Sequence, residues 1–72
     1  MTVVLYTTHC PKCKVLETKL KQKNVVYSEN DDTQYMIEKG FKSAPMLEID
    51  GKELLDFGAA IKWIKEVQGN AN

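Results

Sequence analysis

No arginine occurs among the 72 residues; all ten positive charges are lysines, balanced by ten acidic residues to a formal net charge of zero. Without the planar guanidinium fork, bidentate recognition of phosphates or base edges is disfavoured, and nucleic acid is not an expected partner. Long apolar runs are lacking as well. No stretch approaches the ~20 residues that a membrane helix needs, and no basic segment precedes the apolar run near the amino end. Neither a membrane association nor a secretory leader is expected. Cysteine is scarce: two residues, spaced C-x-x-C. Such a pair cannot make the disulfide framework of a secreted miniprotein. A reducing, cytoplasmic setting follows as the expectation, and there a lone C-x-x-C is more often catalytic or metal-binding than structural. There is no internal repeat and no low-complexity segment. One domain over residues 1–69 is expected, with 70–72 as a frayed tail. A chain this short buries only about 60% of the surface its unfolded form exposes, and a hydrophobic content of 43% suffices for that.

What is present is concentrated at Cys10-Pro11-Lys12-Cys13. The apolar run Val3-Val4-Leu5-Tyr6 precedes it directly and a helical pattern follows. A strand therefore delivers the pair to its end, and a helix begins at or just after Cys10. A thiol at a helix N-terminus faces unpaired N–H groups and the positive end of the helix dipole, both of which favour thiolate. Cys10 is therefore expected to be the reactive thiol. Cys13 falls one turn along, close enough to close a disulfide, and Pro11 fits the first helical turn, where its missing N–H costs nothing. The pattern describes a reversible dithiol/disulfide pair on a rigid element.

Charge is uneven along the chain. Lys12, Lys14, Lys19, Lys21 and Lys23 face only Glu17 over residues 12–24, whereas Glu29, Asp31, Asp32 and Glu38 follow over 28–38. Two solvated faces account for this; a positive field around Cys10, steering acidic partners, is the sharper reading. Lys12, between the thiols, is the side chain best placed to stabilise a Cys10 thiolate.

The remaining pattern predicts a strand over residues 2–7 and a helix over 12–23, with Cys13, Leu16 and Leu20 on one face. A second strand is expected to begin at Val25-Val26-Tyr27-Ser28, parallel to the first because a helix connects them. Asn30-Asp31-Asp32-Thr33 supplies an N-cap for a short helix over 34–39, which Gly40 stops. Phe41 to Pro45 reads as extended, since the residue before proline avoids helix. Strands over 46–49 and 52–56 flank Asp50-Gly51, a strong hairpin signal. Gly58 opens a last helix in which Phe57, Ala60, Ile61, Ile64 and Val67 recur at helical spacing, and Gly69 ends it. Trp63 and Tyr27 are read as packing residues and His9 as exposed.

This α/β order, β-α-β-α-β-β-α, with C-x-x-C after the first strand and Ser43-Ala44-Pro45 before the third, resembles the thioredoxin-like fold. The short length and the Cys-Pro-x-Cys form resemble a glutaredoxin or a glutaredoxin-like redoxin of the NrdH type. The resemblance implies a four-stranded mixed sheet in the order 2-1-3-4, with the third strand antiparallel to the first. It also implies helices on both faces, the first and third on one and the second on the other. It assigns Cys10 as nucleophile, Cys13 as resolving thiol, a Cys10–Cys13 disulfide in the oxidised form, and Pro45 as a cis-proline beside that pair. Ala44 would then pair its backbone with substrate. Tyr6, Lys12, Lys42, Ser43, Ala44, Gly58 and Ala59 are the implied substrate-contacting residues. The implied activity is that of a monomeric thiol–disulfide oxidoreductase with no tightly bound cofactor, serving a disulfide-containing client such as ribonucleotide reductase. Its reductant would be glutathione or a thioredoxin-reductase-type flavoprotein.

Two departures bear on glutathione. Thr7-Thr8-His9 stands where glutathione-binding relatives usually place a basic residue before the first cysteine. Phe57-Gly58-Ala59-Ala60 stands where they carry two glycines followed by acids. A different class of function remains open on the same residues. Thr8-His9-Cys10-Pro11-Lys12-Cys13 resembles the loop of small copper carriers, and two thiolates suit Cu(I). Those carriers run β-α-β-β-α-β, ending on a strand. A dimer-bridged iron–sulfur cluster is a further alternative. Structural zinc is not expected, since it takes about four ligands and only His9 adds to the thiols.

Overall fold

The computed structural model describes residues 2–67; the expected stop at Gly69 and the tail over 70–72 lie outside them. The elements are β1 (Val3–Tyr6), α1 (Pro11–Gln22), β2 (Ser28–Asn30), α2 (Thr33–Glu38), β3 (Met46–Ile49), β4 (Glu53–Leu55) and α3 (Phe57–Glu66). They build a four-stranded mixed sheet in the order β2-β1-β3-β4. β1 lies parallel to β2 and antiparallel to β3, and β3 and β4 form an antiparallel hairpin. This is the α/β architecture expected of a thioredoxin-like fold.

The pleat of β1 explains the layering. Alternate residues point to opposite faces, so Val3 and Leu5 enter one face, where they stand opposite Ile49 and Leu47 of β3. Against them pack Leu16 and Leu20 of α1 and Ala60 and Ile64 of α3, all buried in a single cluster. Tyr6 turns to the other face. There its ring stacks on Tyr35 of α2 at 5.9 Å and meets Phe41 edge-on at 4.9 Å.

Local chemistry sets the ends of each element. Asp50 and Gly51 adopt φ of 55° and 67°, a left-handed pair within the three-residue loop between Ile49 and its partner Glu53. Lys52 N–H closes that turn on the Ile49 carbonyl at 3.0 Å. Asn24, at φ 58°, ends α1. Its N–H bonds the Lys21 carbonyl at 3.1 Å and that of Val25 bonds Leu20 at 3.0 Å, a pattern that satisfies the last carbonyls of the helix. Gly40, at φ 82°, does the same for α2 through Ile37 and Met36.

The second strand corrects the sequence reading. Pairing with β1 starts at Ser28, opposite Val4, not at Val25. The Val25 N–H is committed to closing α1, and the chain needs the intervening residues to return to the sheet edge. Val25 is buried in the core all the same, while Val26 is 75% exposed.

Candidate functional site

Helix α1 begins with a sulfur as its cap. Cys10 holds an extended backbone (φ −78°, ψ 169°), and its Sγ accepts the Cys13 N–H at 3.4 Å. Side-chain oxygens normally fill this role; here a sulfur fills it, at the positive end of the helix. The two sulfurs are 2.9 Å apart and unbonded. Closing the ~2.05 Å bond of a disulfide requires a small displacement only.

The two thiols differ in access. Cys13 is fully buried and Cys10 half-exposed. Burial pushes the Cys13 thiol up, but hydrogen bonds from Cys10, the Thr7 hydroxyl and the Thr8 and Cys10 backbone outweigh it and bring the thiol down to about 7. Thr8 N–H lies 3.4 Å from the Cys13 sulfur. The buried sulfur gathers the donors, and the outer sulfur alone reaches a partner.

Thr7 was read from sequence only as the absence of a basic residue, yet it organises this site. It is fully buried. Its N–H is held by the Asn30 carbonyl at 3.0 Å, and its Oγ1 accepts the His9 N–H at 2.9 Å. That geometry leaves its hydroxyl proton for Cys13. Hydroxyl residues directly before a thiol pair were the signal available in the sequence. His9 itself adopts φ 61° and sets its exposed ring 3.2 Å from Asp31.

Lys42, Ser43 and Ala44 line one groove, which Thr8 also borders. With Thr8 and Thr33 they form one side of this groove of about 250 Å³, and Met36, Ile37 and Phe41 form the apolar side. Thr8 links the groove to the Cys13 sulfur. The Ala44–Pro45 peptide is cis, and Pro45 is fully buried. A depression of about 320 Å³ on the outer face of α1, lined by Lys14, Val15, Thr18, Lys19 and Gln22, holds no thiol.

Other expected contacts are placed differently. Tyr6 lies beneath the groove: it is 4% exposed, and its hydroxyl donates to Glu48 Oε1 at 2.9 Å. Burial first, and then that carboxylate, push its phenol pKa up, so it stays protonated. Lys12 sets its ammonium 5.4 Å from the centre of the Phe57 ring, bringing the first turns of α1 and α3 side by side. Gly58 and Ala59 are exposed there, but the cap of α3 is Asp56, whose Oδ1 accepts the Ala59 N–H at 2.9 Å. An aspartate directly before an apolar helical pattern is a standard start signal, and it was passed over in favour of Gly58. No helix among the described residues is long and apolar enough to cross a membrane. Comparison with protein-family models, curated proteins and solved structures finds no match to this chain.

Proposed function

We propose that the protein is a glutaredoxin-like dithiol–disulfide oxidoreductase working in the reducing cytoplasm. The observation that carries this is the pair of unbonded sulfurs 2.9 Å apart at the start of α1, one half-exposed and one buried. Cys10 thiolate attacks one sulfur of a client disulfide, forming a mixed disulfide and releasing the other client sulfur as thiolate. Cys13 then attacks the Cys10 sulfur. The Cys10–Cys13 bond forms, the second client thiol leaves, and two electrons have passed to the client. Cys13, its sulfur 2.9 Å from that of Cys10 and 3.4 Å from the Thr8 N–H, is placed to supply that second nucleophile. The groove bounded by Lys42, Ser43 and Ala44 takes the client chain, with Met36, Ile37 and Phe41 offering apolar contact. Ribonucleotide reductase is a client of the right chemistry.

An external dithiol or two equivalents of a monothiol must reset the pair. Glutathione is the weaker candidate. Asp56 caps the N-terminus of α3, so a glutathione carboxylate there would meet a negative charge. Losing one charge-assisted contact, at about 1.5–3 kcal/mol, weakens binding at least tenfold, which favours a thioredoxin-reductase-type flavoprotein. The Cu(I)-carrier alternative draws no support from an element order that closes on β3-β4-α3.

The test is an NADPH-coupled assay run with glutathione plus glutathione reductase and, separately, with thioredoxin reductase. Cys10→Ser is expected to abolish disulfide reduction, and Cys13→Ser to accumulate the mixed disulfide. Faster alkylation of Cys13 than of Cys10 would reverse the role assignment.

A further inference from the structure

Three chain segments bring metal-ligating atoms together outside the groove. His9 comes from the β1–α1 loop, Glu17 from the middle of α1 and Glu29 from β2, and their ligand atoms lie within 4.8 Å of one another. Asp31 adds a fourth group, its Oδ2 3.2 Å from His9 Nε2. The chain has ten lysines, yet among the described residues His9–Asp31 is the one side-chain ion pair. Glu17 and Glu29 thus approach each other with an imidazole, and no ammonium group, between them. An imidazole with two carboxylates is a donor set for borderline divalent ions. Ca²⁺ and Mg²⁺ favour oxygen alone.

We propose that His9, Glu17 and Glu29 form a binding site for a divalent transition-metal ion of the Zn²⁺ or Co²⁺ type, with Asp31 beside the His9 ring. The site is separate from the thiols and does not depend on their redox role. Since His9 directly precedes Cys10, a bound ion would tie the loop that carries the outer sulfur to α1 and β2.

The experiment uses the full chain with both cysteines replaced (Cys10→Ser, Cys13→Ser), so that thiolates cannot take the ion and a failure leaves the oxidoreductase reading untouched. Cobalt(II) chloride is titrated while visible absorption and calorimetry are recorded. One ion is expected per chain with Kd near ~10 μM, about −7 kcal/mol, and with the imidazole resonances of His9 broadened. Glu17→Gln, at a half-buried position, and Glu29→Gln, at an exposed one, should each weaken binding at least about tenfold. His9→Asn, a residue that tolerates positive φ, should do the same. Glu53→Gln on β4 serves as a control and should change nothing. Absence of binding at millimolar cobalt, or equal losses for Glu53→Gln and Glu29→Gln, would overturn the proposal.

Discussion

The two faces of the sheet are packed with different chemistry. Under α1 and α3, Leu5, Leu16, Leu20, Leu47 and Ile64 are essentially without solvent contact, and every group in the cluster is apolar. Under α2 the filling is Tyr6, Tyr35, Phe41 and Met36, threaded by the Tyr6–Glu48 hydrogen bond. That second face also leaves the groove beside Thr8 and Ala44, with Ile37 of its wall 68% exposed. One face is closed by apolar packing, and the other leaves an open groove. A short α2 of six residues is what makes this possible: it covers too little of the sheet to close the groove.

The largest effect expected from this contrast is at Leu47. Leu47→Ala removes a fully buried side chain paired with Leu5 and should cost ~2–5 kcal/mol. That is comparable to the whole stability of a domain this small, at ~3–5 kcal/mol, so urea titration should find the variant largely unfolded. A loss under about 1 kcal/mol would mean that the α1/α3 face is not the stabilising one.

Next comes the junction between the faces, at Cys13. Its thiol is brought from 9.0 to about 7 in the folded protein. A depressed acid contributes stability above its unfolded pKa and loses it as pH falls through the folded value. The reduced protein should therefore gain stability on going from about pH 7 to about pH 9, by at most about 3 kcal/mol. The oxidised protein, with no thiol to titrate, should not. Matching pH profiles for both forms would refute the donor arrangement around Cys13.

Tyr6→Phe should cost less, ~0.5–1.5 kcal/mol, since it removes one hydrogen bond and keeps the ring packing. The variant should remain folded by circular dichroism. The smallest change in stability belongs to Ile37→Ala, within about 0.5 kcal/mol because the side chain is exposed. Its effect should instead appear as a raised KM for a protein client with kcat little changed. An unchanged KM would remove the groove from client binding.

Much of the fold was legible because it is written in local signals. The β-α-β-α-β-β-α order follows from apolar runs and helical spacing, and Asp50-Gly51 and Gly40 declare their turns through the positive φ they adopt. Cys10 and Cys13 were legible for the same reason: their spacing and their position after a strand are properties of the chain. Val25-Val26-Tyr27 misled because β-branched residues suit both a strand and a buried cap contact. Only the bond from the Val25 N–H to the Leu20 carbonyl separates the two. Tyr6 misled in another way, since nothing in a strand's alternation says whether its outer face is solvated or lies under a helix.

The sequence by itself determined the element order, the turn positions and the placing of a thiol pair at a helix start, since each depends on residues close together along the chain. Tertiary structure decided which sulfur is buried, how far the Thr7 and Thr8 donors lower the Cys13 thiol, and that Asp56 rather than a ligand caps α3. It also decided the meeting of His9 with Glu17 and Glu29. Those outcomes depend on distances between segments that the chain brings together only when the sheet and its helices close. Burial, hydrogen-bond reach and charge are properties of that arrangement and not of any residue alone.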